Sequence, residues 1–171
     1  MHSISCIYVS YCDRLGGYMA ILETALMCMA FNIYHEAKNQ SMLGQLAVGQ
    51  VVMNRVQDDR FPNTVCGVVK QAVTYKGTNK PVLHRCQFSW YCDGAKDDVN
   101  TKSKEWSLAL DYAIITLRQS IRLDITEGAT HYHASYVRPS WARTKTKTTR
   151  IDKHIFYRWE RKHDKDTKKK W

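Results

Sequence analysis

The sequence predicts an α+β domain in which a helical core is followed by a small antiparallel sheet. Two patterns carry that expectation. Three segments in the first two thirds place apolar residues at the period of a helix, and after Gly128 the chain switches to short stretches rich in aromatic and β-branched residues. Composition bounds it: 171 residues with 44% hydrophobic and 25% charged are ordinary for a globular chain, which excludes a collagen, a disordered tail and a small disulfide scaffold. Asp13, Arg14 and Glu23 interrupt the early apolar stretches, so no run reaches the length of a membrane span.

The first helix is expected over 19–39, with Leu22, Ala25, Leu26, Met29, Ile33 and Ala37 on one stripe. The second, over 41–57, is apolar around most of its circumference and should be the most buried; Phe61-Pro62-Asn63 ends it. The third begins at Ser103 as N-cap and carries Trp106, Ala109, Leu110, Ala113, Ile114 and Leu117 on one face. Between them, 74–100 is rich in Gly, Pro and Asn and reads as a long functional loop. Residues 129–137 and 154–159 read as strands, and TKTKTT at 144–149 as a low-complexity block. These elements divide the chain into an N-terminal extension (1–18), a main domain (19–159) and a basic C-terminal tail (160–171).

The chain carries a net charge of +10, and it is uneven. Residues 138–171 hold thirteen Lys/Arg against four Asp/Glu, so a nearly neutral body bears a basic final third. Such a segment attracts polyanions by counter-ion release, or simply keeps a small protein soluble. Six cysteines, at 6, 12, 28, 66, 86 and 92, contain no CxxC. Cys28 sits in a helical apolar pattern and reads as a small core residue; Cys66, Cys86 and Cys92 could include one disulfide pair, which spacing does not identify.

Glu36 is the most informative position. On the first helix it falls inside the apolar stripe, where burial raises a carboxyl's pKa and suits it to act as a general acid. A buried Glu satisfied by a neighbouring Arg or by backbone amides fits the same pattern. Gln50 and Asn54 lie in the best apolar stripe of the second helix with Leu43, Leu46, Ala47 and Val51. Buried amides need partners. For Asn54 a structural network to a loop is the simpler role, and for Gln50 that role and the orienting of another polar group fit equally. Gln87-Phe88-Ser89-Trp90-Tyr91 alternates rings with amide and hydroxyl groups, as a sugar cleft does, or as a strand pinned in the core by Phe88 or Trp90 does.

His131 and His133, two apart on a strand, share a face, and with His154 and a carboxylate they have the donors for zinc. No HExxH accompanies them, so the simpler reading is hydrogen-bonding residues lining a cleft, with no metal and no cofactor. GxSxG is absent and no Cys carries a protease signature.

The ordered blocks AFNIYHEAKNQS (30–41), GQLAVGQVVMNRV (44–56), RFPNTVCGVVKQ (60–71), CQFSWYCDG (86–94), GATHYHASYVRPSWA (128–142) and HIFY (154–157) closely resemble the SleB-type cell-wall hydrolases, the family of the spore-cortex-lytic enzymes and of many phage lysins. The resemblance covers 26–157. It implies a compact lysozyme-like fold that cuts peptidoglycan glycan strands between N-acetylmuramic acid and N-acetylglucosamine, by lytic transglycosylation. It also implies that Glu36, in the place of the IYxEA glutamate, is the acid/base, and that Gln87, Ser89 and Tyr132 are cleft residues; Trp90 and His133, read from the aromatic and histidine patterns, complete the expected substrate-binding set. Asp93 is the candidate second carboxylate if water is the acceptor instead. Peptidoglycan is the expected partner, with anionic envelope polymers attracted to the basic terminus, no specific nucleic acid, and a monomeric chain. The N-terminus shows no basic segment ahead of an apolar core, so no secretory signal is expected, which suits a phage endolysin made in the host cytoplasm and acting on the wall after release. Two rival readings are a metal-dependent amidase or peptidase using His131, His133 and His154, and a basic nucleic-acid-binding module.

Overall fold

A computed structural model describes residues 24–119 and 123–161. The expectations for 1–18 and for the last ten residues of the basic tail lie outside them, as does the start of the first helix.

The first helix, α1, is helical over 24–37 and places Cys28, Met29, Ala30, Ile33, Tyr34 and Ala37 in the core. Helix α2 (Met42–Val56) begins where the sequence put it: the Ser41 hydroxyl accepts the Gly44 N–H at 3.3 Å. Helix α3 (Val65–Val69) is a short turn capped by Thr64, which was not anticipated. Helix α4 (Lys104–Gln119) starts at Ser103, whose Oγ accepts the Trp106 N–H at 3.1 Å. Trp106, Ala109 and Ala113 are its buried face.

Two antiparallel sheets complete the chain. Strands β1 (Ala72–Thr74) and β2 (Pro81–Cys86) form a hairpin; β3 (His131–Ala134), β4 (Thr146–Ile151) and β5 (His154–Arg158) form a sheet in the order β3-β5-β4. The hairpin corrects the reading of 74–100 as one long loop, and β4 corrects the reading of TKTKTT as low complexity. Both segments face solvent on most positions, so burial imprints no alternation on their sequence. Leu43 is a further correction: it is 51% exposed, outside the core that its stripe predicted.

Helix α2 is the centre of the packing. Val52 joins the core formed with α1, α3 and α4, while Ala47 and Val51 pack with Ala129 and Phe156 against the sheet. Gly49 lets α4 approach closely, since a Cβ there would meet Thr116 Oγ1 at 2.7 Å. At its N-terminus the β4–β5 turn docks: Asp152, in the left-handed region at φ 50°, accepts the Ser41 N–H at 2.8 Å through Oδ2. A carboxylate there also suits the positive end of the helix dipole.

Cys28 is paired with Cys66, and Cys86 with Cys92. The first bond ties α1 to α3 and corrects the reading of Cys28 as a plain core residue; it is buried and bonded at once. Closing separations of 38 and 6 residues is worth about 4 and about 2 kcal/mol in the chain-entropy model. Blocking free thiols on the native protein should therefore leave Cys28, Cys66, Cys86 and Cys92 to label only after reduction. The Cys28→Ser/Cys66→Ser variant should lose more stability in denaturant melts than Cys86→Ser/Cys92→Ser, and the reverse order would contradict this assignment.

Candidate active site

Glu36 lies in the last turn of α1, on the side that meets β3. Its Oε2 accepts the Tyr132 hydroxyl at 2.8 Å. No other hydrogen bond engages the carboxyl among the described residues, so Oε1 is the oxygen left to act on another molecule. Burial raises the pKa of Glu36; the Tyr132 bond and the charge of Arg55 oppose the rise without cancelling it. Tyr132 is driven up in turn, by burial first and then by the carboxyl it serves, so its hydroxyl keeps its proton and remains the donor.

The arrangement follows from strand alternation. Along β3, Tyr132 turns toward the helices and packs on His154 and Phe156 of β5, with ring centroids 5.0 and 5.6 Å away. His131 and His133 turn to the opposite face, where both meet Trp141. His133 Nδ1 lies 2.8 Å from the Ala134 carbonyl, which can only accept, so Nδ1 carries the proton. Its Nε2 then accepts from the Tyr157 hydroxyl at 3.0 Å in the neutral ring. The three histidines are therefore split between two faces of the sheet, and among the described residues no cluster of three or more His, Cys, Asp or Glu is placed to hold a metal. His133 is not brought to Glu36.

The segment around Trp90 packs against α1 at Asn32 and His35. Phe88 is buried; Trp90, in a 3-10 turn (Ser89–Cys92), stacks on His35 at 4.7 Å and donates Nε1–H to Asn32 Oδ1 at 3.1 Å. Asn32 and Glu36 are one helical turn apart, so Trp90 is anchored beside the carboxyl's own helix face. Ser89 on the same turn and Gln87 just before it are exposed. Asp93 closes an Asx turn on the Ala95 N–H at 2.8 Å and lies among the charges acting on His35; no carboxylate is among the groups acting on Glu36.

Gln50 and Asn54 both tie α2 to the 123–129 loop. Gln50 donates to the Leu123 carbonyl and accepts the Ile125 N–H; Asn54 Nδ2 donates to Asp124, Thr126 and the Ala129 carbonyl. This network holds the entry to β3, and so the height at which Tyr132 meets Glu36. Sequence reasoning missed Arg55, whose signal was a cation at the end of a helix apolar nearly all round. A cavity of about 600 Å³, lined by Met27, Phe31, Val69, Trp90 and Tyr91 among others, does not include Glu36.

Residues 39–157 match the family described as Cell Wall Hydrolase. The chain is similar to the spore cortex-lytic enzyme of Bacillus cereus, 46% identical over 47 residues, covering 28% of this chain and 18% of that protein. It is also similar to the spore cortex-lytic enzyme of Halalkalibacterium halodurans, 24% identical over 135 residues, covering 78% of this chain and 34% of that one. The chain thus spans about a third or less of the length of these curated relatives. Among solved structures, the catalytic domain of the germination-specific lytic transglycosylase SleB from Bacillus anthracis aligns with a TM-score of 0.56 at 28% identity, over 78% of this chain and 93% of that one. The catalytic domain of the Bacillus cereus SleB protein aligns at 0.54 and 26%, over 80% and 91%. The α+β fold read from the sequence is the fold of those domains.

The titratable groups give the domain a pH dependence of known sign. Burial first, then Arg55, Lys145 and Arg60, lower His131 from 6.5 to about 3. Its folded state binds fewer protons than the unfolded chain, so stability is full above pH 6.5 and is lost as pH falls toward about 3. Burial lowers His35 and His154 in the same direction. Glu36 has the opposite sign, because its folded pKa is raised: the cost of its charge enters as pH rises above 4.5. Thermal melts of the wild type should fall steadily from pH 6.5 to pH 4, and His131→Asn should flatten that fall in part. An unchanged slope in the variant would assign the acid loss to other groups.

Proposed function

The chain belongs to the cell wall hydrolase family, and from that membership we propose that it cleaves peptidoglycan glycan strands between N-acetylmuramic acid and N-acetylglucosamine as a lytic transglycosylase. The observation that carries the reading is Glu36: a carboxyl with a raised pKa, one oxygen held by Tyr132 and the other free. The Bacillus anthracis neighbour is a germination-specific lytic transglycosylase, which supports the reaction type.

In this mechanism protonated Glu36 gives its proton through Oε1 to the glycosidic oxygen, and the C1–O bond breaks toward an oxocarbenium-like centre. The carboxylate left behind accepts the proton of the muramic acid C6 hydroxyl as that oxygen bonds to C1. Glu36 regains its proton, no water is consumed, and the new end is a 1,6-anhydro ring. One carboxylate serves both steps. The Tyr132 hydrogen bond stabilises the charged intermediate form of Glu36 and fixes the orientation of the carboxyl. Trp90, Gln87 and Ser89 line the approach beside it, the ring supplying a face for a sugar and the exposed amide and hydroxyl supplying partners for its hydroxyl groups.

On the same reading the reaction takes place outside the cytoplasm, which two disulfides support because such bonds persist in oxidising surroundings. We read the protein as a phage lysin acting as a monomer, with the basic final third drawing it to anionic wall polymers.

Glu36→Gln keeps the shape and loses the proton, so clearing of purified cell walls should fall by at least about 10²-fold with the fold intact. Mass spectrometry of the fragments released by the wild type should show muramic acid ends lighter by one water than hydrolysis products. Reducing ends would make the enzyme a hydrolase, and near-normal clearing by the variant would remove Glu36 from the chemistry.

A further inference from the structure

The cavity along α1 plays no part in the proton transfers at Glu36. Met27 and Phe31 of α1, Val69 at the end of α3, and Trp90 and Tyr91 of the 3-10 turn form its walls. Phe31 and Trp90 lie nearly parallel, with centroids 6.5 Å apart and planes at 20°, and Tyr91 stands across Trp90 at 75°. Lys70 and Asp97 also line the space; both are exposed, and neither makes an ion pair among the described residues. They are therefore left to neutralise another molecule. An apolar space of about 600 Å³ with a few separated polar groups has the size and composition of a ligand pocket. A sugar matches it poorly. Each pyranose hydroxyl needs a hydrogen-bond partner, and the neutral polar side chains on the lining are Thr24 and Tyr91. Apolar walls with one charge of each sign fit a short peptide instead.

We propose that this cavity takes the peptide stem carried by the muramic acid at the cleaved bond. Its walls receive the alanine methyl groups, Lys70 a free carboxylate, and Asp97 the amino group of the stem's diamino acid. The inference rests on peptidoglycan as the substrate and deepens that reading by naming a second part of it that is recognised. Trp90 joins the two regions, since it lines the cavity and donates to Asn32, one turn from Glu36. At about 1.5 Å per residue, Phe31 and Met27 lie about 7 and about 14 Å from Glu36 along the helix axis. An extended stem of four residues reaches about 14 Å. A peptide that starts at the muramic acid beside Glu36 therefore spans the cavity. Its binding energy, remote from the reacting atoms, is available to hold the strand in register for cleavage.

The test compares soluble glycan fragments carrying tetrapeptide stems with the same fragments stripped of peptide by an amidase. The readout is the ratio of their kcat/KM values. Wild type should favour the peptide-bearing fragments by about 10-fold. Met27 is 40% exposed, so Met27→Trp fills the cavity without entering the core and should bring the ratio near one. Lys70→Glu should lower the ratio about threefold, the scale of an exposed ion pair. Both substrates are measured on one protein, so any loss of folded enzyme cancels from the ratio. A wild-type ratio near one overturns the inference, as does a ratio that both substitutions leave in place. Equal rates together with a lower melting temperature for Met27→Trp overturn it by making the cavity a packing site of the chain itself. The two readings separate cleanly: cleavage of neither fragment overturns peptidoglycan as the substrate and the inference with it, whereas equal cleavage of both overturns the inference alone.

Discussion

Helix α2 is packed on two sides, with helices against Val52 and the sheet against Ala47 and Val51, and the rest of the domain is arranged around that constraint. A helix with so little free surface must either pack or hydrogen-bond each polar group it carries. Gly44 and Gly49 are where neighbours come closest, to the Asp152 carboxylate and to Thr116. Gln50 and Asn54 are engaged by the 123–129 loop, and Arg55 by Thr130. Since that loop leads into β3, one helix fixes the height of Tyr132.

The chemistry follows from a balance of three effects on one carboxyl. Burial raises the pKa of Glu36 and so disfavours its charged form. A hydrogen bond from Tyr132 and a cation at Arg55 both favour the charged form, and together they do not cancel burial. On the proposed mechanism this balance lets one group give its proton to the leaving oxygen and bear the negative charge afterwards. Such a group suits a reaction in which one residue is acid and then base. Tyr132 meets Glu36 from a different layer of the fold, so the balance exists only when helices and sheet are assembled.

The parts of this that were legible in the sequence are those in which burial is periodic. The caps at Ser41 and Ser103, the buried face of α4 and the placement of Glu36 all follow from apolar residues recurring at helical spacing. Hairpin β1–β2 and strand β4 left no such imprint, because most of their side chains meet solvent on both faces. The pairing of Cys28 was hidden for the opposite reason: a half-cystine inside an apolar stripe looks like any small core residue. His133 illustrates a third limit. Period-two alternation put His131 and His133 on one face, but the sequence does not say which face of β3 meets the helices, and Tyr132 is the residue that does. Arg55 does not stand out within the block at 44–56, since a lone Arg at a helix end is ordinarily a solvated charge.

The two disulfides differ in setting: Cys28–Cys66 lies at the main core, and Cys86–Cys92 closes a more exposed segment. The hairpin and the turn carrying Trp90 are largely exposed, and Cys86–Cys92 closes that turn on itself. Cys28–Cys66 fastens α1 to α3, a helix of only five residues that has little surface of its own to pack. Both links act on segments that touch α1: Trp90 through Asn32 and His35, and α3 through the core around Met29 and Ile33. A site assembled from one helix, one strand and one turn loses most if the helix shifts, because misplacement by about 1 Å can cost on the order of 10²-fold in rate. Covalent ties at both neighbours of α1 restrict that shift in the folded state as well as shrinking the unfolded ensemble, so they contribute to the geometry of the Glu36 carboxyl and not to stability alone.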